Sequence, residues 1–291
     1  MKIGFIGLGV MGQSMAGHLL DAGYDLHVYN RTKSKAEGLL ARGAEWMSSV
    51  EALAKRCEVI FTILGFPADV EEVYLGEGGL LAHARPGTVL VDMTTSSPEL
   101  AERIYQVALS RELKVLDAPV SGGDLGARAG TLSIMAGGEK ELFDELLPLL
   151  GCMGNNIVHQ GPAGSGQHCK MCNQITIASN MLGVCEAMAY AQKSGLDTEK
   201  VLKSISSGAA GSWSLENLAP RMLEGNFDPG FFVKHFIKDM GIAADSAEGM
   251  SLDLPGLELA LTRYRALQAS GFGDEGTQAL FRLYSPDQGA V

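Results

Sequence analysis

Apolar residues in the first part of the chain fall into short, unbroken runs separated by helical stretches. This alternation predicts crossover units on a mostly parallel sheet. The predicted strands are Lys2–Gly7, Asp25–Asn30, Glu58–Leu64, Thr88–Met93, Lys114–Ala118, Leu132–Ala136 and Ile157–Gln160. Runs such as Val59-Ile60-Phe61 and Val89-Leu90-Val91 do not alternate with polar residues, as expected of strands covered on both faces. Between them the pattern predicts helices over Met11–Ala22, Ser34–Ala41, Val50–Lys55, Pro98–Arg111 and Glu139–Leu150.

The texture changes at Gly161-Pro162-Ala163-Gly164-Ser165-Gly166. Beyond it no strand is predicted, and helical patterning continues with breaks at Gly195, Gly208–Gly211, Gly225–Gly230, Pro255 and Gly271–Gly276. Two domains are expected, 1–163 and 164–291, joined by a long helix from about Gly166 to Ser194. No internal repeat or low-complexity tract is present.

The first strand runs directly into Gly7-Leu8-Gly9-Val10-Met11-Gly12, which then opens a helix. In that context a G-x-G-x-x-G permits a tight turn and close approach of backbone to a pyrophosphate, whose charge sits among the unpaired N–H groups of the helix N-terminus. The fold class expected is therefore an α/β Rossmann-type dinucleotide-binding domain followed by an all-α domain for substrate and oligomerisation. Choice of cofactor turns on the end of the second strand, which reads Tyr29-Asn30-Arg31-Thr32. There is no carboxylate there to grip a ribose 2′-hydroxyl or repel a 2′-phosphate. Arg31 offers a planar donor fork, and Asn30 and Thr32 add neutral donors. NADP is the expected cofactor, with NAD as the alternative; the plainer role for Arg31 is to cap a solvated strand end.

Charge narrows the partners. With 23 Lys+Arg against 34 Asp+Glu the net charge is −11, which opposes broad binding to nucleic acid or an anionic membrane. No apolar run reaches the roughly 20 residues a membrane helix needs. Lys2 and the apolar residues after it are not expected to act as a signal peptide, because glycines and charges interrupt them without a small-residue cleavage site. A cytoplasmic location is the expectation. The 5 cysteines, an odd number, suit reduced thiols better than a disulfide framework. Cys169-Lys170-Met171-Cys172 is a C-x-x-C beside His168, but no further ligands accompany it in a metal-binding pattern, so no metal is expected.

Three other segments carry candidate chemistry. Asp117-Ala118-Pro119-Val120-Ser121-Gly122-Gly123 follows a strand, where the Ser121 hydroxyl and consecutive glycine N–H groups suit an anion such as a substrate carboxylate. Gly164-Ser165-Gly166-Gln167-His168-Cys169-Lys170-Met171-Cys172-Asn173-Gln174 opens the joining helix, with Lys170 and Asn173 three apart. Phe231-Phe232-Val233-Lys234-His235-Phe236-Ile237-Lys238-Asp239 adds a second lysine and an acid to the helical half, so a site between the domains is expected.

Taken in order, the glycine hexad, the Asp-Ala-Pro-Val-Ser-Gly-Gly run, the Gly-x-Gly-x-x-x-Lys run and the Lys238-Asp239 pair make the chain resemble the β-hydroxyacid dehydrogenase family along nearly its whole length. That group includes 3-hydroxyisobutyrate dehydrogenase, tartronate semialdehyde reductase and the glyoxylate/succinic semialdehyde reductases. The resemblance implies that Lys170 is the catalytic lysine, giving a proton to the carbonyl oxygen in reduction and taking it back in oxidation. It implies that Ser121, Gly122 and Gly123 bind the carboxylate, and that Leu64, Thr95 and Lys238 contact the cofactor. It further implies that Asp239 and Phe231 line the substrate site, although Phe231 beside Phe232 is equally suited to a core. A lysine flanked by Lys238 and desolvated on closure would have its pKa drawn toward neutrality, where it serves as acid and base.

One departure stands out. The family's commonest motif has Asn four residues after the lysine, whereas this chain has Gln174, preceded by Asn173. Asn173 is ranked slightly ahead as the second polar contact. The function expected is NADP-dependent interconversion of a small aldehyde-acid of tartronate, glyoxylate or succinic semialdehyde type with its hydroxyacid. The alternatives are a 3-hydroxyisobutyrate or serine-type dehydrogenase, or a non-catalytic NADP-binding interaction module. Long apolar helices in the second half point to a homodimer or homotetramer.

Overall fold

The computed structural model describes residues 1–284. The chain folds into two compact units, Met1–Lys170 and Met171 onward.

The first unit is a twisted sheet with helices on both faces. Its strands are β1 (Lys2–Ile6), β2 (Asp25–Tyr29), β3 (Glu45–Trp46), β4 (Val59–Thr62), β5 (Val89–Asp92), β6 (Lys114–Asp117), β7 (Val120–Ser121), β8 (Leu132–Gly137) and β9 (Gly154–Gly161). Among the described residues their order is β3-β2-β1-β4-β5-β6-β8-β7, with β9 paired to β8. From β3 to β6 every pairing is parallel, and the order reverses direction between β1 and β4, the switch point where α/β sheets bind ligands.

The unbroken apolar runs have the expected consequence. Successive residues alternate between two separate cores: Ile3, Phe5, Val59, Phe61, Val89, Val91 and Leu116 face one side, with Met15, Leu19 and Leu142 from its helices. Ile6, Ile60, Leu90 and Val115 face the other, against Leu53, Tyr74, Leu100 and Ile104. Helix Pro98–Leu109 illustrates the local logic. Ser97 accepts the Leu100 N–H, Pro98 occupies the first position, and Leu100, Ala101, Ile104 and Ala108 bury one stripe.

Several expectations are corrected. The sheet is mostly parallel, as expected, but β8 runs antiparallel to β6 and β7 while pairing parallel with β9. The helix expected over Ser34–Ala41 is a 3-10 turn, Lys33–Ala36, followed by a short α-helix, Glu37–Leu40. The last strand extends over Gly154–Gly161 rather than Ile157–Gln160, because pairing with β8 tolerates its polar residues. Helix Pro67–Leu75, which the sequence pattern does not predict, buries only Val70 and Tyr74, too few for a legible period.

A long helix, Ser165–Lys193, carries the chain out of the first unit. The second unit is helical, with Thr198–Ile205, Trp213–Asn217, Ala219–Leu223, Val233–Gly249 and Pro255–Leu267 and shorter turns around one core. Met181, Cys185, Met188, Phe236, Met240, Leu261, Tyr264 and Phe281 form its centre. Phe236 meets Tyr264 edge to face with ring centroids 5.0 Å apart.

Candidate active site

At the switch point the three glycines of the hexad differ physically. Gly7 has φ +98°, and a Cβ there would stand 2.1 Å from the Ile63 carbonyl oxygen. A Cβ on Gly12 would stand 1.9 Å from the Gly7 carbonyl oxygen. A Cβ on Gly9 would meet nothing within 4 Å. The outer glycines are thus closed by protein while the middle one opens on space beside the N-terminus of helix Gly12–Asp21, which is the cradle a pyrophosphate requires. Leu8 is buried beneath the turn, Val10 is exposed and Met11 is half-buried.

Asn30 shapes this loop from below. Its Oδ1 accepts the Leu8 N–H at 3.0 Å and its Nδ2 donates to the Thr32 carbonyl at 2.9 Å. Arg31 is exposed and pairs at 3.0 Å with Oδ1 of Asp69, whose Oδ2 accepts the Phe66 N–H. With its side chain 80% exposed, Arg31 makes only a weak surface pair there, which sets the Asp69 carboxylate beside the strand end.

The loops after β4 and β5 are tied together. The Leu64 N–H donates to Thr94 Oγ1 at 2.9 Å. Beneath them the Thr62 hydroxyl donates to Asp92 Oδ1 at 2.8 Å and lies 2.9 Å from the Tyr74 hydroxyl. Burial pushes the Asp92 carboxyl up to about 6, against the opposing hydrogen bonds from Thr94 and Thr62. Thr95 sits half-buried at the rim of the β5 loop.

Ser121 closes β7 and is half-buried. Gly122 (φ +130°) and Gly123 (φ +61°) follow in backbone conformations that L side chains rarely adopt, and the Gly123 side opens on space. The joining helix starts against the end of β6. Asp117 Oδ1 accepts the Gly164 N–H at 2.8 Å and Oδ2 accepts the Gln167 N–H at 2.9 Å. A Cβ on Gly166 would lie 2.4 Å from the Met135 carbonyl oxygen, so the Gly-x-Gly spacing allows the helix to settle on the sheet. Lys170 follows within that helix and is 6% exposed, far more buried than an ordinary helix lysine.

In the second unit, Gln174 is buried and donates to Asp239 Oδ2 at 2.6 Å, while Asn173 Nδ2 donates to Gln174 Oε1 at 2.6 Å. Asp239 Oδ1 pairs with Lys238 Nζ at 2.7 Å. Lys170, Gln174 and Ala178 are buried at successive intervals of four, a single strip of the helix, whereas Asn173 is half-buried beside it. Phe231 is half-buried with its ring 5.6 Å from Phe236, packed on the helical core.

Comparison with known proteins fits this geometry. Residues 2–161 match the family model described as the NAD binding domain of 6-phosphogluconate dehydrogenase. Residues 164–284 match the model described as NAD-binding of NADP-dependent 3-hydroxyisobutyrate dehydrogenase. The chain belongs to the β-hydroxyacid dehydrogenase family. Within that family it is 60% identical to the oxidoreductase YkwC of Bacillus subtilis, over 97% of this chain and 98% of the relative. It is 52% identical to the 3-hydroxyisobutyrate dehydrogenase-like 1 protein of Arabidopsis thaliana, over 96% and 84%. It is 38% identical to the 2-hydroxy-3-oxopropionate reductase of Escherichia coli, over 93% and 92%. The solved 3-hydroxyisobutyrate dehydrogenase of Mycobacterium tuberculosis with L-serine superposes with a TM-score of 0.87 at 30% identity, covering 97% of this chain and 98% of that one. This β-hydroxyacid dehydrogenase is thus an enzyme, an NAD(P)-dependent oxidoreductase, and not a module without catalysis.

Three residues of the site region carry little or no signal in the sequence. Asp69 is detectable only as an acid two residues after a helix-starting proline. Asp117 stands in a motif without an assigned role, though an acid ending the run Val115-Leu116 is the signal of a buried acceptor. Gln167 gives no signal.

Proposed function

We propose that this enzyme reduces a small aldehyde-acid, of tartronate, glyoxylate or succinic semialdehyde type, to its hydroxyacid with NADPH, and runs in reverse with NADP. The burial of Lys170 in the helix that Asp117 anchors is the observation that carries this reading. When bound, the dinucleotide supplies or removes the hydride. The Gly7–Gly12 turn holds its pyrophosphate, with Leu8, Val10 and Met11 lining the turn, and Leu64 and Thr95 meet it from the loops after β4 and β5. Lys238 serves as a further cofactor contact, set by its pairing with Asp239.

Arg31 reads the 2′-phosphate, with Asn30 holding the loop and Thr32 beside it. The Arg31 guanidinium is exposed and its contact with Asp69 is a weak surface pair, so the fork can exchange that carboxylate for a 2′-phosphate, which favours NADPH over NADH. Ser121 and the amides of Gly122 and Gly123 take the substrate carboxylate. The Lys170 ammonium gives its proton to the carbonyl oxygen as the carbon is reduced, so no free alkoxide forms, and in reverse the neutral amine removes the hydroxyl proton. Gln174 sets the second polar contact through Asp239, Asn173 supports it, and Phe231 limits the pocket. The protein is expected to be a cytoplasmic homodimer or homotetramer.

The relative named for 2-hydroxy-3-oxopropionate, which is tartronate semialdehyde, supports the reductive reading. The second reading, oxidation of 3-hydroxyisobutyrate or serine, draws on the neighbour solved with L-serine. The test is steady-state turnover with NADPH and NADH across glyoxylate, succinic, tartronate and methylmalonate semialdehydes, and in reverse with 3-hydroxyisobutyrate and serine. Turnover led by an aldehyde-acid with NADPH at least about tenfold ahead of NADH supports the proposal. Preference for 3-hydroxyisobutyrate or serine with NAD overturns it.

A further inference from the structure

We infer that Gln167 is a positioning residue that locks the cofactor-side loop to the helix carrying Lys170. Its carboxamide is fully buried and spans one residue of the β5 loop: Nε2 donates to the Thr94 carbonyl at 2.8 Å, and Oε1 accepts the Ser96 N–H at 2.9 Å. Thr95 lies between those two anchor points. The Gln167 backbone N–H is held in turn by Asp117 Oδ2, so the one residue joins the end of β6, the loop after β5 and the first turn of the long helix.

The chemistry of the bridge is specific to a primary amide. One side must donate and the other accept, because a backbone carbonyl faces one end and a backbone N–H the other. Both backbone groups are buried, and leaving either without a partner is unfavourable. Lys170 follows one turn later, so rotation of the Gln167 side chain is coupled to the register of the lysine relative to the Thr94–Ser96 segment. Proton transfer depends steeply on such distances, since misplacement by about 1 Å can cost roughly a hundredfold in rate. Gln167 itself is assigned no contact with the reacting atoms or the cofactor. Its role rests on the reading of Lys170 as proton donor and Thr95 as cofactor contact.

Gln167→Glu tests this, because the ionised carboxylate turns an acceptor toward the Thr94 carbonyl, whereas the protonated acid restores donor and acceptor together. In the full-length protein, kcat with NADPH and the best aldehyde-acid of the panel, followed from about pH 10 down to about 5.5 because burial raises the introduced carboxyl's pKa, should be about tenfold below the wild type at the alkaline end and recover relative to it as the pH falls. Gln167→Met should show a similar loss without recovery. Hydrogen exchange gives a reading independent of turnover: the Ser96 amide should lose protection in Gln167→Met, and in Gln167→Glu the Thr94–Ser96 segment should regain protection at low pH. If Gln167→Glu does not fold, Gln167→Asn, one methylene shorter, replaces it and should lose both kcat and Ser96 protection. A folded variant with wild-type kcat, or a Gln167→Glu loss that does not recover with acid, overturns the inference. A Lys170→Ala variant that keeps full turnover would instead remove the functional reading while leaving the exchange result to stand on its own.

Discussion

The two units build function from different materials. In the first, the candidate binding surfaces are mostly backbone: glycines at 7, 9, 12, 122 and 123 create close approaches or open space, and buried acceptors such as Asp117 hold amide groups in place. In the second, they are side chains locked to one another on helices, through Asn173 to Gln174 to Asp239 to Lys238. Backbone sites depend on the absence of a Cβ and fail abruptly. Side-chain relays depend on hydrogen-bond chemistry and fail by degrees.

The largest effect should come from Lys170, where the two regions meet along the chain. Lys170→Ala is expected to lower kcat by roughly 10²–10⁴-fold with NADPH affinity within about twofold of the wild type, checked by turnover and by cofactor fluorescence titration. Sharpening the backbone side of the comparison, Gly12→Ala and Gly9→Ala should separate. The first forces a Cβ to 1.9 Å from a carbonyl oxygen and should destabilise the fold by about 1–3 kcal/mol or more, read from thermal unfolding. The second meets only open space and should leave unfolding unchanged while weakening dinucleotide binding.

Arg31→Ala comes next. Loss of a charge-assisted contact to the 2′-phosphate is worth about 1.5–3 kcal/mol, so the NADPH to NADH ratio of kcat/KM should drop by roughly tenfold to a hundredfold. Because the Arg31–Asp69 pair is exposed, stability should hardly change in the same variant.

The smallest effect is a change of slope with pH. Asp92 holds its proton up to about pH 6 in the folded protein, against an ordinary value of 3.8, so the folded state binds more protons between those limits. Stability attributable to this group therefore falls as pH rises from about 4 through 6. Asp92→Asn retains an oxygen to accept from Thr62 and the Thr94 N–H, and should flatten that portion of a Tm-against-pH curve.

What the sequence made legible follows the same division. The hexad, its strand–helix context and the Gly-x-Gly-x-x-x-Lys run were readable because glycine geometry leaves a spacing signature. The sheet's two cores were readable from unbroken apolar runs. The antiparallel β8 was not, since strand direction leaves no mark in a run such as Leu132-Ser133-Ile134. Gln167 had no signature, because a single amide bridging two backbone groups of a distant loop is set by tertiary placement alone. The sequence ranks Asn173 slightly ahead of Gln174, and the hydrogen bond that turns Gln174 toward Asp239 left no mark on that ranking because it is set by the helix packing.

The central claim is hydride transfer to a small aldehyde-acid, and isotope tracing meets it most directly. The enzyme would be incubated with NADPH carrying deuterium at both C4 positions of the nicotinamide, together with the panel of aldehyde-acids, and the products weighed by mass spectrometry. The account predicts a hydroxyacid containing one deuterium on the carbinol carbon. Bound NADPH with no labelled hydroxyacid from any member of the panel would contradict it.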